Sequence, residues 1–206
     1  MNNILLRASS IGNIMAYPEK DTLADGAKTY LEKLASQYIL DWKENLDTFE
    51  VQKGLDCEEL SIDLYNAVNG TFYSKNTDRV STELITGECD ILDTSADLVI
   101  DIKTAYSKKT FPVFLTPSKL YEWQLRCYMH LYNVNQAELA YCLVSTPEHL
   151  IKRGEPQDWH IVDHIDEYKR LAVAKLERCE KKEAQMLNKA KLAQDYLNDL
   201  ISSKVK

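Results

Sequence analysis

The chain has 206 residues, of which 45% are hydrophobic and 28% are charged, and its formal net charge is −7 at pH 7. This length and apolar content indicate one large folded domain or a core with appendages, and the lack of any run of about 18 apolar residues excludes a membrane-spanning helix. The negative charge argues against an enzyme that acts on nucleic acid, since phosphate binding requires local positive potential.

The cysteines and the N-terminus bear on the cellular compartment. The five cysteines are odd in number and scattered along the chain. They are typical of reduced, mostly buried thiols in a cytoplasmic protein. The start of the chain lacks a basic segment followed by an apolar core, so no secretory signal is expected. We therefore expect a cytoplasmic protein that does not associate with a membrane.

The first predicted element is a short segment that enters a helix, over positions 6–15. Ser9 or Ser10 would cap this helix, and Arg7 lies just before it. A helix start beside a guanidinium can bind a phosphate, and simple capping explains the same residues. An amphipathic helix within positions 21–46 follows and is expected to pack on the domain.

A second amphipathic helix is predicted over positions 49–65, where apolar residues recur at positions 57, 60, 64 and 68. Glu58 and Glu59 lie within it. Spacing alone does not decide which of the two points inward, and both can belong to an exposed acidic face.

Two strand-like segments, at positions 84–92 and 98–103, are joined by a turn and predict a β-hairpin. On the second strand Asp101 and Lys103 share one face, about 6 to 7 Å apart, and Asp90 can lie opposite Asp101. Two adjacent carboxylates repel each other unless a cation lies between them, and hard oxygen ligands favour Mg²⁺ or Mn²⁺. The alternative is an ordinary Asp101–Lys103 salt bridge on an edge strand.

The next helix is predicted over positions 117–132, with a start signal at Pro117 and Ser118. Gln124 and Tyr128 lie four residues apart on one face of this helix. A strand at positions 137–145 follows, and the loop at positions 106–117 can border a substrate channel. Across positions 48–146 the predicted order is helix, strand, strand, strand, helix, strand, if a strand at positions 70–75 or 80–84 begins the sheet.

The tail over positions 166–202 is nearly free of helix breakers and is predicted to be helical throughout. We therefore divide the chain into a domain of residues 1–165 and a C-terminal helical extension of residues 166–206. Positions 169–206 carry ten Lys or Arg and five Asp or Glu, so this part is near +5. Such a helix packs on its own domain or pairs with a neighbouring copy.

The predicted hairpin resembles the core motif of the PD-(D/E)XK nuclease superfamily. It carries Gly87-x-x-Asp90 on its first strand and Asp101-x-Lys103 on its second. Two flanking patterns are similar to motifs of one branch of this superfamily, the phage lambda exonuclease and YqaJ-like branch, which is RecB-like. These patterns are Gly54-x-x-x-Glu58 upstream of the hairpin and Gln124-x-x-x-Tyr128 downstream of it. The family usually has Pro after the glutamate, whereas this chain has Glu59. The resemblance implies an α/β fold of the mixed α+β kind, with a restriction-endonuclease-like core, a central mixed sheet flanked by helices, and here a long C-terminal helix.

The resemblance also implies the roles of the site residues. The catalytic residues would be Asp90, Asp101, Lys103 and Glu58, and the metal ligands would be Asp90, Asp101, the Ile102 carbonyl and Glu58. DNA would be contacted by Gln124, Tyr128 and, at a 5′-phosphate, by Arg7 with Ser9 or Ser10. Whether Glu58, Glu59 or Glu88 completes the metal site stays open. Some relatives carry an iron–sulfur cluster, but the cysteine spacing predicts none here.

The implied function is a Mg²⁺- or Mn²⁺-dependent DNA exonuclease that digests duplex ends from 5′ to 3′ in phage-type recombination or DNA processing. The implied partners are double-stranded DNA ends, further copies of the chain and a single-strand annealing protein, in a bacterium or a phage-infected cell. Two alternatives are a catalytically inactive module of the same fold that binds DNA or protein, and an endonuclease of the same superfamily.

Overall fold

The computed structural model describes residues 4–45 and 47–204. In chain order its elements are β1 (Leu6–Arg7), a 3-10 helix (Ala8–Ile14), α1 (Asp25–Ile39), α2 (Phe49–Asp56), α3 (Glu58–Asn69), β2 (Val80–Ser81), β3 (Ile85–Gly87), β4 (Ile91–Asp93), β5 (Leu98–Thr104), α4 (Lys119–Tyr132), β6 (Gln136–Cys142), β7 (Leu171–Glu177) and α5 (Glu180–Ser202).

The central sheet has four strands in the order β4-β5-β6-β7. The pair β5/β6 is parallel and the two outer pairs are antiparallel, so the sheet is mixed, as predicted. A parallel pair needs a long crossover connection, and α4 provides it. A smaller sheet in the order β1-β3-β2 was not predicted from the sequence.

Helices cover both faces of the central sheet because side chains alternate along its strands. On β5, Val99 belongs to the apolar core formed with α1, α4 and α5, whereas Ile100 and Ile102 belong to the core formed with α3. The predicted mixed α/β fold with a helix-flanked sheet is confirmed. The strand that carries Asp101 therefore lies in the interior of the molecule, with its end directed toward the loop before α4.

The single helix predicted over positions 49–65 is in fact two helices. Thr48 caps α2 by accepting the Val51 N–H, and the chain bends at Cys57 before α3 begins at Glu58. The apolar spacing that predicted one helix starts only at Cys57. The preceding turns are held instead by buried Lys53, whose ammonium donates to three backbone carbonyls.

The prediction that the tail is helical from Asp166 is wrong for its first part. Residues Leu171–Glu177 form β7, which pairs along its whole length with β6. The helix propensity of Ala, Leu, Lys and Glu is overridden by this pairing and by the packing of Leu171 and Val173 on the core beneath. The helical part begins at Glu180, and the division at residue 165 stays a prediction.

The long helix α5 packs within its own chain. Its buried apolar residues lie along one face, which joins the core that contains α1 and α4; they are Met186, Ala190, Ala193 and Leu197. Within residues 4–45 and 47–204, no helix is both long and apolar enough to cross a bilayer.

Candidate active site

The hairpin β4–β5 brings the two predicted aspartates together. Ile91 pairs with Ile100, so the antiparallel register places Asp90 opposite Asp101. Asp90 Oδ2 accepts a hydrogen bond of 2.6 Å from the Ile102 backbone N–H. The expected juxtaposition of the two carboxylates is therefore confirmed, and the backbone of β5 fixes the orientation of Asp90.

Asp101 is buried, and each of its oxygens has a different neighbour. Lys103 Nζ lies 2.7 Å from Oδ2, and Gln124 Nε2 donates to Oδ1 at 2.8 Å. Oδ2 makes this ion pair but accepts no aligned hydrogen bond from the described residues. The Lys103 ammonium also lies 5.4 Å from the ring centroid of Tyr121. Each oxygen of Asp101 therefore has one close neighbour, an amide on one side and an ammonium on the other.

The electrostatics of the pair favour an added cation. Burial, together with the charge of Asp101, raises the pKa of Asp90 to about 7, although Lys103 and the Ile102 N–H act in the opposite direction. Burial disfavours the charged form of Lys103, but the two aspartates outweigh this and raise its pKa. The single ammonium therefore does not fully offset the negative charge of the two carboxylates.

The third acid was left open among Glu58, Glu59 and Glu88. Glu59 is exposed on α3, and Glu88 pairs with Arg79 at 3.0 Å. Glu58 is paired with Lys75, and its charge contributes to the raised pKa of Asp90. Of the three glutamates, Glu58 is the one whose charge reaches the aspartate pair. In the part of the chain that the structure describes, no three Asp, Glu, His or Cys side chains form a complete metal-ligand cluster, and the Lys75 contact holds Glu58 in an ion pair.

Gln124 and Tyr128 lie against the aspartates as predicted, but both are buried. Gln124 Nε2 bridges Asp101 Oδ1 and the Tyr128 hydroxyl, the latter at 3.1 Å. Burial raises the pKa of Tyr128, so its hydroxyl stays neutral. Helical spacing correctly predicted the face of α4 that carries Gln124 and Tyr128, but it did not reveal that Gln124 donates a hydrogen bond to Asp101.

The N-terminal residues line a pocket beside the site. This cleft of about 410 Å³ is lined by Arg7, Ala8, Ser9, Arg79, Thr86, Gly87, Glu88 and Tyr128. Ser10 is not among them and lies toward Tyr30; burial raises the pKa of Tyr30, and a side-chain hydrogen bond with Ser10 acts in the opposite direction. The expected serine cap is wrong, because the 3-10 helix begins at Ala8 with Arg7 at its N-cap and no side-chain cap.

Three side chains at the site were missed by the sequence analysis: Lys75, Arg79 and Tyr121. Lys75 and Arg79 lie in the irregular segment between α3 and β2, where no periodicity assigns a direction to a side chain. Tyr121 lies one turn before Gln124 on α4, so helical spacing could have placed it on the Lys103 side.

Solved structures with similar folds are known. A phage-related exonuclease from Haemophilus somnus 129PT aligns with a TM-score of 0.92 and 28% sequence identity, over 98% of this chain and 97% of that one. The predicted resemblance to phage-type exonucleases is confirmed. An alkaline exonuclease, LHK-Exo from Laribacter hongkongensis, shares the fold at 15% identity with a TM-score of 0.70, over 97% of this chain and 90% of that one.

The same enzyme was also solved in complex with dAMP, and that structure aligns at 16% identity with a TM-score of 0.69. No family model and no curated protein matches the chain. The exonuclease neighbours support a nuclease function. The motif residues of this exonuclease fold lie together at the hairpin and on α4.

Proposed function

We propose that the chain is a metal-dependent DNA exonuclease. The observation that carries this proposal is the buried Asp101 beside the partly buried Asp90, with Lys103 at hydrogen-bonding distance from Asp101, on a hairpin of an exonuclease fold. A plain salt bridge would need one carboxylate, whereas here a second, partly buried carboxylate lies beside the first.

The residues fit a divalent cation. Burial and the neighbouring charge of Asp101 raise the pKa of Asp90, which supports a pair of carboxylates with less positive charge nearby than both need to ionise. Asp90, Asp101 and the Ile102 carbonyl would hold Mg²⁺ or Mn²⁺, and Glu58 would join them after leaving Lys75. When bound, the metal lowers the pKa of its water and offsets charge on a phosphate.

The other groups act on the substrate and the ligands. Lys103 keeps an ammonium beside the reacting phosphate, where it stabilises developing negative charge and orients the attacking water. Gln124 holds Asp101 in one orientation through its amide N–H. Tyr128 lines the cleft that contains Arg7 and so borders the path of the strand.

The cleft with Arg7, Ser9 and Arg79 suits a terminal phosphate. Two guanidinium groups and a hydroxyl are typical partners of phosphate oxygens. In support, the neighbour LHK-Exo binds a nucleotide, dAMP. We propose that this cleft holds a 5′-phosphate, which would give 5′-to-3′ digestion of duplex ends. Ser10, predicted beside Ser9, is left out of this role because it lies toward Tyr30.

The wider setting follows from the resemblance. We propose phage-type recombination or DNA processing in the bacterial cytoplasm, together with self-association and a single-strand annealing protein as partner. The likeness to a phage-related exonuclease supports this setting.

One assay tests the function. Linear and closed-circular DNA are incubated with the protein, with and without Mg²⁺, beside Asp101→Asn. We expect degradation of linear DNA only, dependent on Mg²⁺ and reduced at least about 1,000-fold in the variant, because a metal ligand is lost. The matched control is Asp63→Asn, which changes an exposed aspartate of α3. Cleavage of circles would indicate an endonuclease, and no cleavage at all would indicate the inactive module.

A further inference from the structure

The loop between β5 and α4 is attached to the active site at both ends. It follows Thr104, the residue after Lys103, and it ends at Ser118, whose side chain caps α4 by accepting the Tyr121 N–H. Tyr121 contacts Lys103, and Gln124, one turn later, contacts Asp101. Both ends of the loop are therefore anchored beside the candidate catalytic groups.

The base of the loop is firmly held. The Lys108 N–H donates to the Trp159 carbonyl at 2.9 Å, and the Ser107 N–H donates to Thr110 Oγ1 at 2.9 Å. Phe111 is buried, and Leu115 packs against two apolar clusters. The chain between these two anchors forms a short projecting tip.

The tip exposes apolar side chains. Phe114 is 95% exposed and Val113 is 63% exposed. A single exposed apolar residue is ordinary on a protein surface. Here, however, an almost fully exposed aromatic ring follows an exposed valine, on a loop whose base is fixed beside the catalytic residues.

The charged side chains of the loop are all positive. Residues 104–121 contain Lys108, Lys109 and Lys119 and no Asp or Glu, in a chain with a net charge of −7. Lys109 lies 5.4 Å from the Trp159 ring centroid, so its ammonium is held at the base of the loop. An exposed aromatic ring among lysines is the combination that binds single-stranded nucleic acid, in which bases stack on rings while lysines meet phosphates.

We propose that Phe114 stacks on an unpaired base of the DNA substrate, while the lysines of the same loop contact the adjacent phosphates. This inference rests on the proposed nuclease function and adds a single-strand contact site to it. A duplex would have to fray at its end to reach the ring, so the tip distinguishes frayed or overhanging ends from intact blunt ends.

The test measures stacking directly. Duplexes that carry 2-aminopurine in a short single-stranded overhang are titrated with protein in EDTA, so that no cleavage occurs. We expect quenching of the fluorescence with wild-type protein and with Phe114→Trp. With Phe114→Ala we expect the quenching to be lost and the Kd for the overhang to rise about tenfold, in the range reported for loss of one base stack.

The chain offers a matched control. Phe72 is 99% exposed on the loop after α3, so Phe72→Ala removes an equally exposed ring at a different place and should change neither signal. Circular dichroism and sedimentation of each variant accompany the titration. If Phe114→Ala binds and quenches like the wild type, the proposal is wrong although the nuclease function stands. If it changes the sedimenting mass instead, the tip is a contact between copies. If wild-type protein neither binds nor degrades DNA, the nuclease function itself fails.

Discussion

At the level of single residues, the orientation of Asp101 depends on the side chains that contact it. Asp101 is oriented on one side by Gln124 and on the other by Lys103. The alternation of a strand made it possible to predict from the sequence that Asp101 and Lys103 would meet. The donor role of Gln124 was not predictable, because helical spacing gives the face of a residue but not which of its neighbours it contacts.

The contact between Gln124 and Asp101 gives a first prediction. Replacing Gln124 with Met keeps the volume and removes the amide, so Asp101 loses the donor that orients it. We expect kcat to fall about 10- to 100-fold, the usual cost of losing a partner of a metal ligand, while the Kd for DNA changes little. Steady-state kinetics and binding in EDTA measure the two quantities. Gln157→Met, at an exposed position, is the control. A weakened Kd with unchanged kcat would instead assign Gln124 to DNA contact.

At the scale of elements, a network of polar side chains joins the end of α4 to the start of α5. Glu183 accepts hydrogen bonds from Arg178 at 2.7 and 2.9 Å, and its Oε1 lies 2.7 Å from His130 Nδ1. The Arg178 hydrogen bonds lower the pKa of Glu183 to about 2, despite its partial burial. The position where α5 begins is therefore fixed by charge as well as by its apolar face.

This network predicts a pH-dependent contribution to stability. Because the pKa of Glu183 is lower in the folded protein than in the unfolded chain, its contribution is complete above about pH 4.5 and is lost as the pH falls toward 2. We expect Glu183→Gln to lower the free energy of unfolding by about 1 to 2 kcal/mol at pH 7 and by much less at pH 3. Urea unfolding at both pH values measures this. An equal loss at pH 7 and pH 3 would show that packing, not charge, is responsible.

Some helices and strands were predicted correctly from the sequence, and others were missed. The helix α4 was predicted correctly because Ser118 gives a clear start and the apolar spacing continues to Tyr132. The strand β7 was missed because Leu171–Glu177 is composed largely of helix formers, and only its pairing with β6 makes it a strand. Long-range pairing is not encoded in local propensity, and the small sheet β1-β3-β2 was missed for the same reason.

At the scale of the whole molecule, one buried lysine joins the outer helices to the sheet. Lys53 on α2 donates to the carbonyls of Ala105, Tyr106 and Val144, which lie just beyond the ends of β5 and β6. These distances are 2.8, 3.0 and 2.7 Å, and the side chain is fully buried. The lysine therefore fixes the helical layer that carries Glu58 against the loop that leads to Phe114.

Loss of this lysine should weaken the whole fold. Lys53→Met leaves three buried carbonyls without donors, and we expect the free energy of unfolding to fall by about 3 kcal/mol at pH 7. Burial lowers the pKa of Lys53 to about 8, below its ordinary value of 10.5. The folded protein then gives up this proton before the unfolded chain does, so the advantage of wild type over the variant should grow above pH 8.

Urea unfolding at pH 7 and pH 9.5 tests this prediction. Lys191→Met, at an exposed position of α5, serves as the control and should change stability by less than about 0.5 kcal/mol. A variant as stable as the wild type at both pH values would contradict it.

The loop between β5 and α4 is anchored by packed side chains on both sides of its exposed tip. This anchoring determines which of its residues can be substituted without moving the candidate catalytic groups. Phe111 is buried and Leu115 packs against two apolar clusters, so we expect substitutions at the exposed Val113 and Phe114 between them to leave Lys103 and Gln124 in place. With the proposed function and the proposed role of Phe114, changes at the tip would alter which DNA ends are preferred and leave the cleavage chemistry unchanged. Substrate choice and bond cleavage would then be two properties that mutation adjusts independently.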